Sequence, residues 1–80
     1  MTGEDYYVSA REIGRRLSAL GFTKREIELD DAIASGSTAT EILMKLRWIL
    51  QSIGATEVLP QDVAFEVGDL ARRIKQALTQ

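Results

Sequence analysis

The side chains with the best spacing for chemistry in this 80-residue sequence are carboxylates in one predicted helix. Glu28 and Asp31 are three residues apart and share a helix face, whereas the adjacent Asp30 and Asp31 point about 100° apart. Acid–base catalysis or metal binding would require convergent carboxylate oxygens in a cleft, and a chain this short has little room for one. We therefore expect no enzyme activity, no metal site and no cofactor.

The residue types missing from the sequence exclude most other catalytic chemistry. Without histidine or cysteine there is no imidazole base, no Ser–His or Cys–His nucleophile pair, and no histidine or cysteine ligand for a metal. The lack of cysteine is compatible with a reducing compartment. The first residues do not match a secretory signal peptide, and no apolar run approaches the ~20 residues that cross a bilayer. We predict a cytoplasmic protein with no membrane segment.

Nucleic-acid binding is disfavoured by the charge balance. The formal net charge is -2 and the isoelectric point is near 5.0, whereas nucleic-acid-binding domains gain most of their affinity from a basic stripe. Residues 10–33 do have the outline of a helix-turn-helix, with Lys24 and Arg25 opening the second helix. Four acidic residues follow within residues 26–31 and would be repelled by phosphates. We therefore rank DNA binding below protein binding.

An acidic segment runs from Glu26 to Glu41, with five acidic residues and no basic one. One interpretation is an ordinary solvated helix surface, in which the two end residues only cap helices. The other is a negative surface that attracts a basic partner protein and speeds its association. For the second interpretation we select Glu28, Asp30 and Asp31 as candidate partner-binding residues.

Three large apolar residues fall on helix faces opposite the predicted core. Met44 and Trp48 lie one turn apart in the third predicted helix, and Phe65 lies in the fourth. In one interpretation the first two form a second core face against the first helix and against Tyr6 and Tyr7. In the other, all three belong to a partner or self-association surface, since aromatic residues and Met are enriched at interface centres. All three are candidate partner-binding residues.

Capping signals divide the chain into four helices. Three Ser/Thr-x-x-Glu capping boxes are each followed by a glycine that we predict to be a left-handed C-cap. The boxes are Ser9 with Glu12, Thr23 with Glu26 and Thr38 with Glu41, and the glycines are Gly21, Gly36 and Gly54. Pro60 suits the first position of a fourth helix. The predicted helices cover about residues 9–20, 24–35, 39–53 and 60–77.

The apolar periodicity of these helices predicts an all-α, compact four-helix bundle. The third helix has the widest apolar face, and we place Leu46 and Ile49 at the centre of the core. The second helix has a weaker apolar pattern, formed by Ile27, Leu29 and Ile33.

We predict one domain over residues 1–80, with residues 1–8 as an N-terminal segment that can be flexible. Gly14 and Gly68 fall inside predicted helices, where each costs about 0.8–1 kcal/mol relative to alanine. Gly14 borders an apolar stripe, which predicts a close contact with another helix. The pattern does not account for Gly68.

The stretch from Ser35 to Leu50 resembles a segment of small, single-domain bacterial helical proteins. Its sequence is SGSTATEILMKLRWIL. Some of those proteins resemble immunity proteins, the cognate inhibitors encoded beside polymorphic or contact-dependent toxins. The resemblance implies a protein that binds a toxin domain stoichiometrically and blocks it with an acidic or aromatic surface.

Two hypotheses about function, from different classes of protein, follow from these observations. The first is an immunity-type inhibitor, or a similar partner-binding protein, whose partner is a protein such as a basic toxin domain. The second is a small self-assembling helical protein whose homo-oligomer is the functional unit and can hold a small ligand between protomers. A toxin-like reading frame beside the gene would favour the first, and a discrete oligomer without a partner would favour the second.

Overall fold

The chain is helical along nearly all of the part that the structure describes. The computed structural model describes the backbone of residues 3–79 and the side chains of residues 6–79. The helices are α1 (Gly3–Ala19), α2 (Thr23–Ser35), α3 (Ala39–Thr56) and α4 (Gln61–Leu78). No strand is present in residues 3–79, so the all-α prediction is confirmed. None of these described helices is long and apolar enough to cross a membrane.

The helices pack as a compact four-helix bundle, as predicted. Contacts between α1 and α2 and between α3 and α4 are the most extensive, so the bundle consists of two helical hairpins. In addition, α1 packs on α4 and α2 packs on α3, while α1 and α3 meet at only a few residues. The bundle measures 31 × 22 × 20 Å. Its third helix therefore has α2 on one flank and α4 on the other.

The core lies along the wide apolar face of α3. Leu46 is 0% exposed and Ile49 is also buried, which confirms both as core residues. The other three helices contribute fully buried side chains around them, namely Leu17, Leu29, Val67, Leu70 and Ile74. Burying one such side chain contributes about 1.5–3 kcal/mol. Because α3 contributes more buried apolar side chains than any other helix in the described residues, it is the main apolar support of the bundle.

Helix α2 is attached to the core by a narrow stripe. Leu29 is fully buried, and Ile33 packs half-buried against the core. Ile27 precedes Leu29 by two residues, which places it about 200° around the helix, and it is 61% exposed. The weak apolar pattern of this helix thus reflects a surface helix, one of whose three large apolar residues faces outward.

The first helix starts earlier than predicted. It begins at Gly3, so Ser9 is an interior helical residue and its predicted capping box is wrong. The cause is tertiary packing, because Tyr6 and Tyr7 lie partly buried against the core and extend the helix beyond its local signal. The part of residues 1–8 that precedes Gly3 lies outside the described residues, and the rest is helical.

Of the other two predicted capping boxes, one provides the N-cap. Thr38 is the N-cap of α3, and its Oγ1 accepts a 3.1 Å hydrogen bond from the backbone N–H of Glu41, as predicted. Thr23 is instead the first residue of α2, whose N-cap is Phe22 with no side-chain cap. The Thr23 hydroxyl lies 3.4 Å from the hydroxyl of Ser18 at the end of α1. Thr23 therefore contacts the preceding helix instead of capping α2 as predicted.

One of the three predicted glycine C-caps is left-handed. Gly21 has a φ of 99°, as the prediction required. Gly36 is extended, with φ -73° and ψ 141°, and Gly54 lies inside α3, so these two predictions are wrong. A Cβ on Gly36 would clash with Cγ1 of Ile42, so this glycine leaves room for a core side chain. Helix α3 continues past Gly54 to Thr56, whose hydroxyl accepts a hydrogen bond from Arg25 of α2.

The two glycines inside helices have different surroundings. A Cβ on Gly14 would lie 3.3 Å from Cγ of Glu26, so α1 and α2 approach closely at this point, as predicted. A Cβ on Gly68 would have no atom of the described chain within 4 Å. Gly68 is therefore not required by packing within this domain.

We expect Gly68→Ala to raise the free energy of unfolding by about 0.8–1 kcal/mol, because alanine favours the helix and its methyl group meets no neighbour. Urea denaturation followed by circular dichroism measures the change. Gly14→Ala is the matched control, and its gain should be smaller because the new methyl group must displace Glu26. A loss of stability in Gly68→Ala would contradict the open surroundings of this position.

Candidate partner-binding surface

Trp48 and Met44 lie outside the core. Trp48 is 68% exposed and Met44 is 58% exposed, although both belong to the most buried helix of the bundle. Tyr6 and Tyr7 pack with α1 against the core, and the Arg73 guanidinium carbon lies 5.9 Å from the centre of the Tyr6 ring. The alternative in which Met44 and Trp48 form a second core face is therefore wrong. A helix period of about 3.6 residues turns both side chains away from Leu46, and no other helix covers them.

A groove between α2 and α3 brings the acidic and aromatic candidates together. Its volume is ≈ 160 Å³, and it is lined by Glu28, Asp31 and Ala32 from α2 and by Lys45, Trp48 and Ile49 from α3. Ala32 and Ile49 are buried, so they form an apolar floor beneath the charged and aromatic rim. We call this feature the α2–α3 groove.

Met44 extends the same surface along α3. Together with Lys45 it lines a hollow that also contains Glu41, next to the turn between α2 and α3. Together with Trp48 it lines a second hollow, whose lining residues all belong to α3. These hollows share residues with the α2–α3 groove and form one continuous exposed area. We define the Trp48 surface as Glu28, Asp31, Met44, Lys45 and Trp48.

The structure does not bring the other two candidates to this area. Asp30 is exposed on α2, but it points about 100° away from Asp31 and lines no groove around Trp48. Phe65 is 71% exposed on α4 and lines none of the hollows that contain Trp48. Asp30 and Phe65 therefore serve as reference positions for tests of the Trp48 surface.

The Trp48 surface is less acidic than the sequence suggests. Nη1 of Arg25 donates a 2.9 Å hydrogen bond to Oε1 of Glu28, and Lys45 lies on the same groove. The acidic segment itself contains no basic residue, but these two cations reach it from outside the segment, one from the start of α2 and the other from α3. Asp31 and Glu41 form no salt bridge within the described residues. Arg47 lines the hollow beside Met44 and Trp48, so the acidic excess is confined to the α2–α3 groove, where Glu28 and Asp31 outnumber Lys45.

Hydrogen bonds from Arg25 link α2 to the end of α3. Its side chain is only 17% exposed, and it donates from Nε to Glu57 at 2.8 Å and from Nη2 to the Thr56 hydroxyl at 2.8 Å, in addition to its bond with Glu28. The bond to the Glu57 carboxylate is the main cause that raises the pKa of Arg25, and burial acts in the opposite direction. The sequence placed Arg25 among DNA-reading candidates, but the structure uses its guanidinium within the domain.

We expect Arg25→Ala to lower the free energy of unfolding by about 1–3 kcal/mol, because it removes charge-assisted hydrogen bonds and leaves Glu57 partly buried without its cation. Urea denaturation gives the value. Arg72→Ala is the control, since Arg72 is exposed and pairs with Asp69 on its own helix, and it should cost less than about 1 kcal/mol. Equal losses in the two variants would show that Arg25 is an ordinary surface arginine.

Two further grooves flank α4. The groove between α1 and α4 is charged, and most of its charged side chains are paired: Arg16 binds Asp62 at 3.0 Å and Glu66, and Arg73 lies 3.6 Å from Asp69. The groove between α3 and α4 has a volume of ≈ 500 Å³, an apolar floor that includes Gly68, and basic residues at its rim.

No group of three or more metal-ligating side chains occurs in the described part of the chain.

Comparison with known proteins identifies no relative of this chain. No protein-family model matches the sequence, and neither the curated proteins nor the solved structures give a significant match.

Proposed function

We propose that this protein is a non-catalytic binding module that holds a basic partner protein on the Trp48 surface. The observation that supports this function is the exposure of Trp48, the only tryptophan of the chain, beside carboxylates and above an apolar floor. Tryptophan is among the residues that contribute most to interface energies. Because Trp48 projects from a packed helix, little conformational entropy is lost when a partner covers it.

Within this class, an immunity-type inhibitor of a bacterial toxin is the specific function that we propose. The segment from Ser35 to Leu50, which resembles a segment of small bacterial helical proteins, some of them similar to immunity proteins, also carries Met44, Lys45 and Trp48. The resemblance and the exposed surface thus coincide on one helix. The partner would be a toxin domain with a basic binding face, and stoichiometric binding would block that domain.

The test begins with affinity capture from the cells that encode the protein. Wild-type protein and Trp48→Ala are used as separate baits, and mass spectrometry identifies proteins that the wild type retains and the variant loses. Phe65→Ala serves as the control bait, because Phe65 is as exposed as Trp48 but lies on α4. Equal retention of every captured protein by Trp48→Ala would contradict the proposed surface.

A growth assay then tests the immunity function. Expression of the captured partner should stop growth, and co-expression of the wild-type protein should restore it. Trp48→Ala should restore growth less well than Phe65→Ala. A partner that is harmless when expressed alone would contradict immunity while leaving the binding function in place.

Charge reversal tests the electrostatic part of the proposal. We expect the double variant Glu28→Lys with Asp31→Lys to slow association with a basic partner and to reduce its dependence on salt, with less effect on dissociation. The control, Glu12→Lys with Asp30→Lys, changes the net charge equally but leaves the groove intact. Stopped-flow mixing at low salt measures the rates. Equal slowing in both variants would attribute the effect to net charge rather than to the Trp48 surface.

Self-assembly is a second candidate function, and one observation favours it. Phe65 is 71% exposed on α4, and the neighbouring groove between α3 and α4 is open at Gly68. Light scattering over a range of concentrations would detect a discrete oligomer. This function requires the oligomer to be lost in Phe65→Ala, whereas a monomer at all concentrations would contradict it.

A further inference from the structure

We infer that the α2–α3 groove accepts an arginine side chain of the partner, an inference that rests on the proposed function and specifies its ligand chemistry. The groove combines three features at one place. It is lined by Trp48 of α3 and by the acidic residues Glu28 and Asp31 of α2, above an apolar floor of Ala32 and Ile49. Its volume of ≈ 160 Å³ corresponds to about five water molecules at ~30 Å³ each, which is enough for a planar guanidinium group.

These features favour guanidinium over ammonium. A guanidinium group is planar, stacks on an aromatic face and donates paired hydrogen bonds to a carboxylate. It is also more weakly hydrated than an ammonium group, so it loses less when it contacts an apolar floor. The ammonium of a lysine side chain would be attracted to the carboxylates. It would not stack on the indole ring or donate paired hydrogen bonds to one carboxylate.

The two carboxylates have different roles in the groove. One oxygen of Glu28 is already bound by Arg25, which is held by Glu57 and Thr56, so this network fixes the position of Glu28. Asp31 forms no salt bridge within the described residues. Asp31 is therefore the acceptor that pairs with the incoming guanidinium, and Glu28 adds negative charge beside it.

Lys45 opposes cation binding at the α2–α3 groove. Its side chain lines the α2–α3 groove and also the adjoining hollow that contains Glu41. Glu41 and Lys45 are four residues apart on α3, a spacing at which opposite charges attract each other. An arginine that enters the groove would displace the ammonium towards Glu41. Removing the charge of Lys45 should therefore strengthen arginine binding.

The experiment titrates the 80-residue chain with N-acetylarginine amide and, separately, with N-acetyllysine amide. Two-dimensional proton–nitrogen NMR spectra report binding, and the single indole N–H signal belongs to Trp48. We expect saturable shifts of this signal and of the Asp31 amide with the arginine probe. The lysine probe should bind about threefold to tenfold more weakly.

Three variants show whether the groove is responsible. Asp31→Asn should weaken arginine binding about threefold to tenfold, whereas Asp30→Asn, one position away on the same helix, should leave it unchanged. Lys45→Gln should bind the arginine probe about threefold more tightly than wild type. A structural role of these residues would not produce opposite changes from Asp31→Asn and Lys45→Gln.

Three results would overturn the inference, namely equal affinity for both probes, shifts that do not include the Trp48 indole, or no saturable shift. Because no partner protein is used, these results are distinct from failure of the proposed function. Loss of arginine binding would leave partner binding through Trp48 possible, and a failed capture would leave arginine binding intact.

Discussion

Replacing Leu46 with alanine should lower the free energy of unfolding by about 2–5 kcal/mol. Leu46 is 0% exposed at the centre of α3, so the substitution removes apolar contacts from the core and leaves a cavity. Domains of this kind have a total stability of only about 5–15 kcal/mol, and the variant would lose a large share of it. Urea denaturation followed by circular dichroism measures the loss.

The matched control for Leu46→Ala is Met44→Ala, two residues away on the same helix. Because Met44 is exposed, its removal should change stability by no more than about 0.5 kcal/mol. Similar losses in the two variants would mean that α3 is not the central helix of the bundle.

Replacing Trp48 with alanine should have the largest effect on partner binding. Tryptophans at the centre of interfaces contribute about 2 kcal/mol or more, which corresponds to an increase in Kd of about thirtyfold. Most of this change should come from faster dissociation, because interface substitutions alter dissociation rates more than association rates. Surface-plasmon measurements with the captured partner give both rates.

Stability should change little in Trp48→Ala, since the side chain is mostly exposed. Phe65→Ala removes an equally exposed aromatic residue from α4 and should leave the affinity for the partner unchanged. The opposite ranking, with Phe65→Ala weakening binding and Trp48→Ala leaving it intact, would move the binding site from α3 to α4.

Local sequence signals predicted the helices well where no distant contact competes with them. Thr38 caps α3 through the amide of Glu41, as its spacing required, and Gly21 adopts the predicted left-handed turn. The same capping motif at Ser9 is overridden, because Tyr6 and Tyr7 pack against the core and extend α1 towards its N-terminus. A motif of four residues carries no information about such packing.

The end of α3 was mispredicted for a similar reason. Gly54 is an ordinary helix-stop signal, but α3 continues to Thr56, where Arg25 binds the side chains of Thr56 and Glu57. Arg25 is about thirty residues away in the chain, and only the packing of α2 on α3 brings these groups together. The helix period alone does not predict how two helices align against each other.

The candidate surface was only half predictable from the sequence. The helix period correctly placed Met44 and Trp48 opposite Leu46, but it could not show whether another helix covers them. It also treated the acidic residues of α2 and the aromatic residue of α3 as separate candidates. The packing of α2 on α3 places Asp31 and Trp48 on one groove and adds Lys45, which the acidic segment alone did not suggest.

The central claim, that the Trp48 surface holds a partner protein, is tested most directly by NMR. A two-dimensional proton–nitrogen spectrum of the isotope-labelled protein is recorded with and without the unlabelled captured partner. The claim predicts that the Trp48 indole signal and the amides of Glu28, Asp31, Met44 and Lys45 change on binding, while those around Phe65 do not. Changes confined to α4 or to α1, with the indole signal unmoved, would contradict it.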